Sequence, residues 1–279
     1  MTERRAALLT RHGKHAAIAP ALAGIGWDLA LVDSFDTDSL GAFTGETPRA
    51  GSQRDAALAK ARLACELSGL RYGIGSEGSE GSEGSEGSFG GDPWLGSCGW
   101  ATELLLCWDA QRQYAVEAWT RGPETNFRHW TLSDLAALPD ILRLSGFPAH
   151  GLIVGRPGED AFHKELIDEA ALRAHLARHL ADGPLHLECD MRAHRNPTRM
   201  AMIERAAAAL AERLASVCPD CGAPGFGEIA PLAGAPCEDC GAPTRQASAR
   251  RWQCPCCQAS REQTLQAAAS PQYCDYCNP

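Results

Sequence analysis

The chain has 279 residues, a net charge of −9 and 44% hydrophobic residues. That length suits one generous domain plus a small one, and the acidic balance excludes a broad nucleic-acid or anionic-membrane surface, which needs clustered Lys and Arg. No window approaches the roughly 18 continuous apolar residues of a membrane span, and MTERRAALLTRHGK lacks the apolar core of a signal peptide, so a cytoplasmic protein is expected.

Ala6 to Leu9 form a short apolar run that stops at TRHGK, Thr10 to Lys14, and HAAIAPALAGIG after it is compatible with a helix closed by glycines. DLALVDSF (Asp28–Phe35) reads as a second strand. Strand, helix and strand in so few residues predict a βαβ unit and a parallel sheet. In GSQRDAALAKARLACELSGL, Ser52 can cap a helix, Asp55 stands at capping-box spacing, and Gly69 stops it. LRYGIGS follows as a strand. Where it ends, four SEG units begin, carrying Glu77, Glu80, Glu83 and Glu86.

A Gly/Ser-rich tract has no apolar surface to bury. Sheet-forming sequence resumes after it, in ATELLLCWDAQRQYAVEAWT (101–120), which reads as a β-hairpin. Residues 76–91 are therefore expected to be a strand-end loop enlarged within the first domain, not a linker. Residues 159–181 read as a helix, LHLECD as a strand, and Asn196 as the cap of a helix with Pro197 in its first turn. Met200, Ile203, Ala207, Leu210, Leu214 and Val217 share one face of that helix. Arg192, Arg195 and Arg199 surround its start, a candidate anion site. His175 and His179 lie one helical turn apart, without the Glu of H-E-x-x-H.

Thirteen cysteines are the strongest chemical signal. Eight form four C-x-x-C pairs: Cys218 and Cys221, Cys237 and Cys240, Cys254 and Cys257, Cys274 and Cys277. In a cytoplasmic chain such pairs read as metal sites. Fifteen residues separate Cys221 from Cys237 and 16 separate Cys257 from Cys274, both within the zinc-ribbon range. The first reading is thus two sequential four-cysteine sites, the first two pairs and the last two. The 13 residues between Cys240 and Cys254 also permit an interleaved or nested arrangement. Four thiolates saturate zinc, so both ions are expected to be structural. Cys256 reads as a spectator, and Cys65, Cys98, Cys107 and Cys189 as small core residues. From 218 to 279 there are four Arg, no Lys and six acidic residues, a poor phosphate binder, so a protein partner is the expectation for this tail.

The expected fold is α/β, a mixed sheet flanked by helices over 1–217, followed by a two-zinc ribbon domain over 218–279. The run FTGETPRAGSQRDAALAKARLACELSGLRYGIGSEG resembles a segment of the inosine triphosphate pyrophosphatase superfamily, in its acidic residue (Glu46), its Ser52-started helix with KARLA at 60–64, its turn at 68–70 and its strand leading to glutamates. TRHGK stands where that family has T-G-N-x-x-K, one residue shorter and without the Asn, and Ala193-His194-Arg195 echoes a later Ser-His-Arg. The whole chain, with its CDYCNP end, also resembles an uncharacterised bacterial family carrying a domain of unknown function.

The first resemblance implies a metal-dependent hydrolase of non-standard nucleoside triphosphates that releases pyrophosphate. Lys14, Glu46 and Glu77 are its candidate catalytic residues, with Glu46 and Glu77 holding Mg2+ or Mn2+. Arg11, Ser52, Lys60, Arg195 and Arg199 are candidates for contacting the phosphates. Relatives of that superfamily are often dimers, so a homodimer is an expectation from the resemblance. The alternative is a non-catalytic binder of a nucleotide or other phosphate ligand whose zinc tail docks a protein.

Overall fold

A computed structural model describes residues 4–40, 51–81, 100–156, 162–164, 166–265 and 268–279. The chain divides into two compact units, Met1–Gln111 with Glu117–Ala211, and Arg112–Val116 with Glu212–Pro279. Among the described residues, no helix is long and apolar enough to cross a membrane.

The first unit opens with β1 (Arg4–Leu9), α1 (Lys14–Ala23) and β2 (Trp27–Val32), then α2 (Gln53–Ser68), β3 (Tyr72–Gly81), β4 (Trp100–Asp109) and, from Glu117 on, β5 (Tyr114–Gly122). The strands lie in the order β2-β1-β3-β4-β5, with β1 parallel to β2 and β3, and β4 antiparallel to β3. This is the α/β mixed sheet expected. Ala6, Ala7, Leu8 and Leu9 of β1 are all buried, as a central strand covered on both faces requires. From β1 the chain crosses to β2 on one side and then returns to β3 on the other. Right-handed crossovers in opposite directions place α1 and α2 on opposite faces.

The α2 helix is built as its sequence reads. The Ser52 hydroxyl accepts from Asp55 N, the Asp55 carboxylate accepts from Ser52 N, and Gly69 closes the helix at φ 70°. Alanines on its inner face let it lie unusually close to β3. A Cβ at Gly75 would stand 1.8 Å from the Ala57 carbonyl oxygen, and one at Gly73 would stand 1.9 Å from that of Ala61. The glycines of YGIGS are therefore clearance for the helix. Gly75→Ala is expected to destabilise the protein by about 1–3 kcal/mol through overpacking. Urea unfolding that gives wild-type stability would show that α2 withdraws freely.

Two local expectations differ. β3 does not end before the SEG tract. It continues through the first two units to Gly81, pairing Ser76 with Leu105 and Gly81 with Trp100. Small residues fit a strand whose cross-strand neighbours are large, so Gly/Ser composition misled here. The rest of the tract, Glu83 and Glu86 included, lies outside the described residues, as do Glu46 and Cys98. The helix expected over 159–181 is confined, among the described residues, to Glu169–His179, capped by the Asp168 carboxylate on Ala171 N. His163 before it is instead bridged to a strand.

The sequence reading left 123–158 unassigned. This region supplies β6 (His129–Leu132), α3 (Leu138–Ser145) and β7 (Leu152–Gly155); α4 (Glu169–His179), β8 (Leu185–Cys189) and α5 (Pro197–Ala215) follow. β6, β8 and β7 form a second, antiparallel sheet with its own core around Leu138, Leu152, Leu172 and Leu187. Asn196 caps α5 as expected, its Oδ1 accepting from Arg199 N. Cys65, Cys107 and Cys189 are buried, as small core residues should be.

The second unit carries β9 (Gly227–Ala233), β10 (Ala247–Gln253) and β11 (Ser260–Thr264), an antiparallel sheet in the order β11-β10-β9. Within it, Tyr114 Oη donates to the Pro224 carbonyl and Arg112 to that of Cys221.

Candidate functional site

β1 lies between β2 and β3, and the chain leaves its carboxyl end in one direction and later returns on the other side. In open α/β sheets this reversal is where ligands bind. The loop after β1 is TRHGK. Gly13 sits at φ 70° as the N-cap of α1, a left-handed conformation that favours glycine. The turn brings Lys14, the first helical residue, inward rather than out to solvent. Its ammonium donates to Ser76 O at 3.2 Å and Ser76 Oγ at 3.1 Å on β3.

Lys14 is one of five charged side chains buried here. Lys60, Glu77, Glu103 and Arg199 are the others, all less than 10% exposed. Lys60 of α2 is paired with Glu77 of β3. Arg199 of α5 pairs with Glu103 of β4 at 2.5 Å and also donates to the Met191 carbonyl. Strand alternation separates the two pairs. Glu77 faces α2, as Gly73 and Gly75 do, whereas Ser76 and Gly78 face the other way. Gly78 stands opposite Glu103 in the ladder, and a Cβ there would lie 2.4 Å from Glu103 Oε1 and 2.6 Å from Arg199 Nη2. The first SEG unit thus has three separate tasks: Ser76 receives Lys14, Glu77 receives Lys60, and Gly78 leaves room for the Glu103–Arg199 pair.

The electrostatics follow from this enclosure. Burial lowers the Lys14 pKa from 10.5 to about 7, reinforced by the Arg199 charge and opposed by Glu103. Glu103 Oε2 is buried without a hydrogen-bond partner among the described residues. Beside the cluster, the His12 and His194 rings stack with centroids 5.2 Å apart, and Gly13 passes against His194. Burial lowers the His194 pKa too, helped by His12.

Four of the candidates are buried around the same stretch of β3, Lys60 and Glu77 on the face toward α2 and Lys14 and Arg199 on the other. Three others turn elsewhere. Arg11 is exposed and 3.9 Å from Asp36. Arg195 donates to the Leu166 carbonyl. The Ser52 side chain is occupied by its own helix cap, although the next residue, Gln53, donates to the Glu77 carbonyl at 2.8 Å. Glu103 went unread, yet WATELLLCWD carried a signal: a glutamate amid large apolar strand residues is rarely buried unless paired. His12 and His194 were visible only as members of TRHGK and AHR.

The cysteines form two tetrads, each able to hold a metal ion: Cys218, Cys221, Cys254 and Cys257, and Cys237, Cys240, Cys274 and Cys277. The arrangement is interleaved, which corrects the sequential reading. The reason is the antiparallel sheet. Gly227 at the start of β9 pairs with Gln253 at the end of β10, so the first and third C-x-x-C turns share one end. The second turn follows β9 and the fourth follows β11, at the other end. Joining the first turn to the second would require spanning β9, about 23 Å at 3.3 Å per residue.

Sγ–Sγ separations of 3.8 and 3.7 Å in one tetrad, and 3.9 and 3.6 Å in the other, surround the edge of about 3.8 Å that a tetrahedron with 2.3 Å metal–sulfur bonds requires. Gly222 and Gly241 close their turns at φ 68° and 71°. Gln258 does so at φ 63°, and its side chain compensates by donating to the Pro255 carbonyl and accepting from Gln253. Cys256 belongs to neither tetrad.

A family model described as Domain of unknown function (DUF6671) matches residues 60–279. No curated protein and no solved structure matches the chain significantly.

Proposed function

We propose that this chain, which belongs to the family Domain of unknown function (DUF6671), binds a nucleoside triphosphate in its α/β unit and hydrolyses it with a divalent cation to release pyrophosphate. The observation that carries this reading is the buried cluster where the middle of β3 passes the carboxyl end of β1. On the face of β3 turned away from α2, two cations, Lys14 and Arg199, meet one carboxylate, Glu103, and below about pH 7, where Lys14 is charged, that surplus of buried positive charge calls for an anion. Lys14 is the phosphate clamp, and its position on the first turn of α1 adds the positive end of the helix dipole. The resemblance to nucleotide pyrophosphatases supplies the substrate class.

Mg2+ or Mn2+ suits the donor set, because the buried and unpartnered Glu103 Oε2 is the hard oxygen such an ion prefers. When bound, the ion would neutralise charge on the phosphates. Glu77, by contrast, is held by Lys60 on the α2 face of the sheet, so the pair braces α2 against β3 and the phosphates are met by Lys14 and Arg199 on the other face. This engagement favours one rival: the same site binds its ligand without cleaving it. For the cysteine tetrads we read structural zinc, since saturated thiolate sites leave no position for water.

The test is pyrophosphate release and calorimetric binding across standard and deaminated nucleoside triphosphates, with wild type and Lys14→Met. Release by the wild type, reduced about 100-fold in kcat/KM by the substitution, is the expected result. Binding without release would select the rival, and neither would end both. Lys14→Met should fold at least as stably as wild type, because a buried lysine with a depressed pKa is a burden on folding.

The same pKa sets two pH dependences. Between about 7 and 10.5 the unfolded chain keeps the Lys14 proton and the folded chain loses it, so this group makes stability rise with pH across that window. Affinity for a phosphate anion should run the other way, falling as pH rises through about 7. A flat affinity profile from pH 6 to 9 would remove Lys14 from the site.

A further inference from the structure

A second group of residues, unconnected with the nucleotide reading, lies beside the sheet formed by β6, β8 and β7. His163 is anchored by an antiparallel bridge to β7: Val154 N donates to His163 O at 3.1 Å, and His163 N donates to Val154 O at 2.7 Å. His175 and His179 stand at i and i+4 on α4, hence on one face. The buried Leu172 and Leu176 fix that helix against the core. The His163 and His175 rings stack at 4.5 Å with planes 15° apart, and the His175 and His179 rings also lie 4.5 Å apart, tilted by 40°. Together with Arg156, Phe162 and Leu185, the three rings line a cavity of about 220 Å³.

We propose that His163, His175 and His179 bind a divalent transition-metal ion of borderline softness, Zn2+, Ni2+ or Cu2+, with water completing its coordination. Imidazole is the ligand such ions take in preference to Mg2+ or Ca2+. A helical i, i+4 histidine pair with a third ligand from another segment is an arrangement zinc sites use. Two nitrogens on one tetrahedral ion lie about 3.3 Å apart, so the stacked rings must turn edge-on to share it. All three rings are partly exposed, and the turn is a change of side-chain torsion with the backbone in place. The Arg156 guanidinium beside the cavity is committed to the His179 carbonyl at 3.1 Å and to Asp182 at 3.5 Å.

The test uses the full chain with both cysteine tetrads already metal-loaded, titrated with Ni2+ by calorimetry while the original metal content is followed. One further equivalent is expected, with the tetrad metal retained. His175→Ala and His179→Gln should each weaken it at least tenfold without shifting Tm. Ni2+ should also broaden the ring resonances of all three histidines in the wild type, a readout that survives if a variant fails to fold. No additional equivalent, or one unchanged in both variants, would overturn the site and leave the rings as packing.

Discussion

Cys221→Ser combined with Cys254→Ser is expected to remove one metal ion per chain, whereas Cys221→Ser combined with Cys237→Ser is expected to remove both. The first pair shares a tetrad, so the second substitution strikes a site already lost; the second pair spans two. Sequential pairing would reverse the outcomes, so metal content alone discriminates. The structural consequence should be large. The sheet of β9, β10 and β11 is short, and its β11 strand is exposed throughout. Structural zinc supplies about 10–16 kcal/mol of folding free energy in small domains. Stripping both ions with a strong chelator should therefore unfold the cysteine-rich unit, seen as loss of amide protection across 227–264. Retained protection in metal-free protein would show that the sheet stands unaided, against the reading of the tetrads as structural sites.

Arg199→Met is expected to destabilise the protein by about 3–5 kcal/mol, because it leaves the Glu103 carboxylate buried without its partner. The side chains are 6% and 3% exposed, so water cannot readily take the place of the guanidinium. The double substitution Glu103→Leu, Arg199→Met should recover most of the loss, since replacing a buried ion pair with apolar groups is often near neutral. Urea unfolding of the two single variants and the double variant closes the cycle. A loss below about 1 kcal/mol for Arg199→Met would mean that Glu103 finds another cation, such as Lys14, whose ammonium already feels the Glu103 charge. The pair thus differs from exposed bridges such as Arg143–Asp140, which contribute little.

These expectations rest on features of unequal legibility. The Ser52 cap, the Gly69 stop and the Asn196 cap are satisfied by residues within a few positions, so the sequence carries them directly. The parallel β1–β2 pair was also legible, because a helix between two short strands leaves the chain little choice. The second sheet was not. Its strands β6 and β7 are four residues long and become strands only by pairing with β8, more than 30 residues downstream of β7.

The eight cysteines of the tetrads were determined by the sequence alone, since a C-x-x-C turn is a local device that aims two thiols at one point. Which turns come together was decided by tertiary structure, because the antiparallel register of β9 with β10 settles which strand ends meet. The buried charge cluster divides in the same way. Lys14 was legible from its place after β1, whereas Glu77, read as part of a loop beyond the strand, lies in the middle of β3. Glu103 and Arg199 are 96 residues apart, and their partnership exists only because β4 and the start of α5 bury both charges together. A buried charge must find its counter-ion wherever the fold brings one, and that distance in sequence no local pattern can bridge.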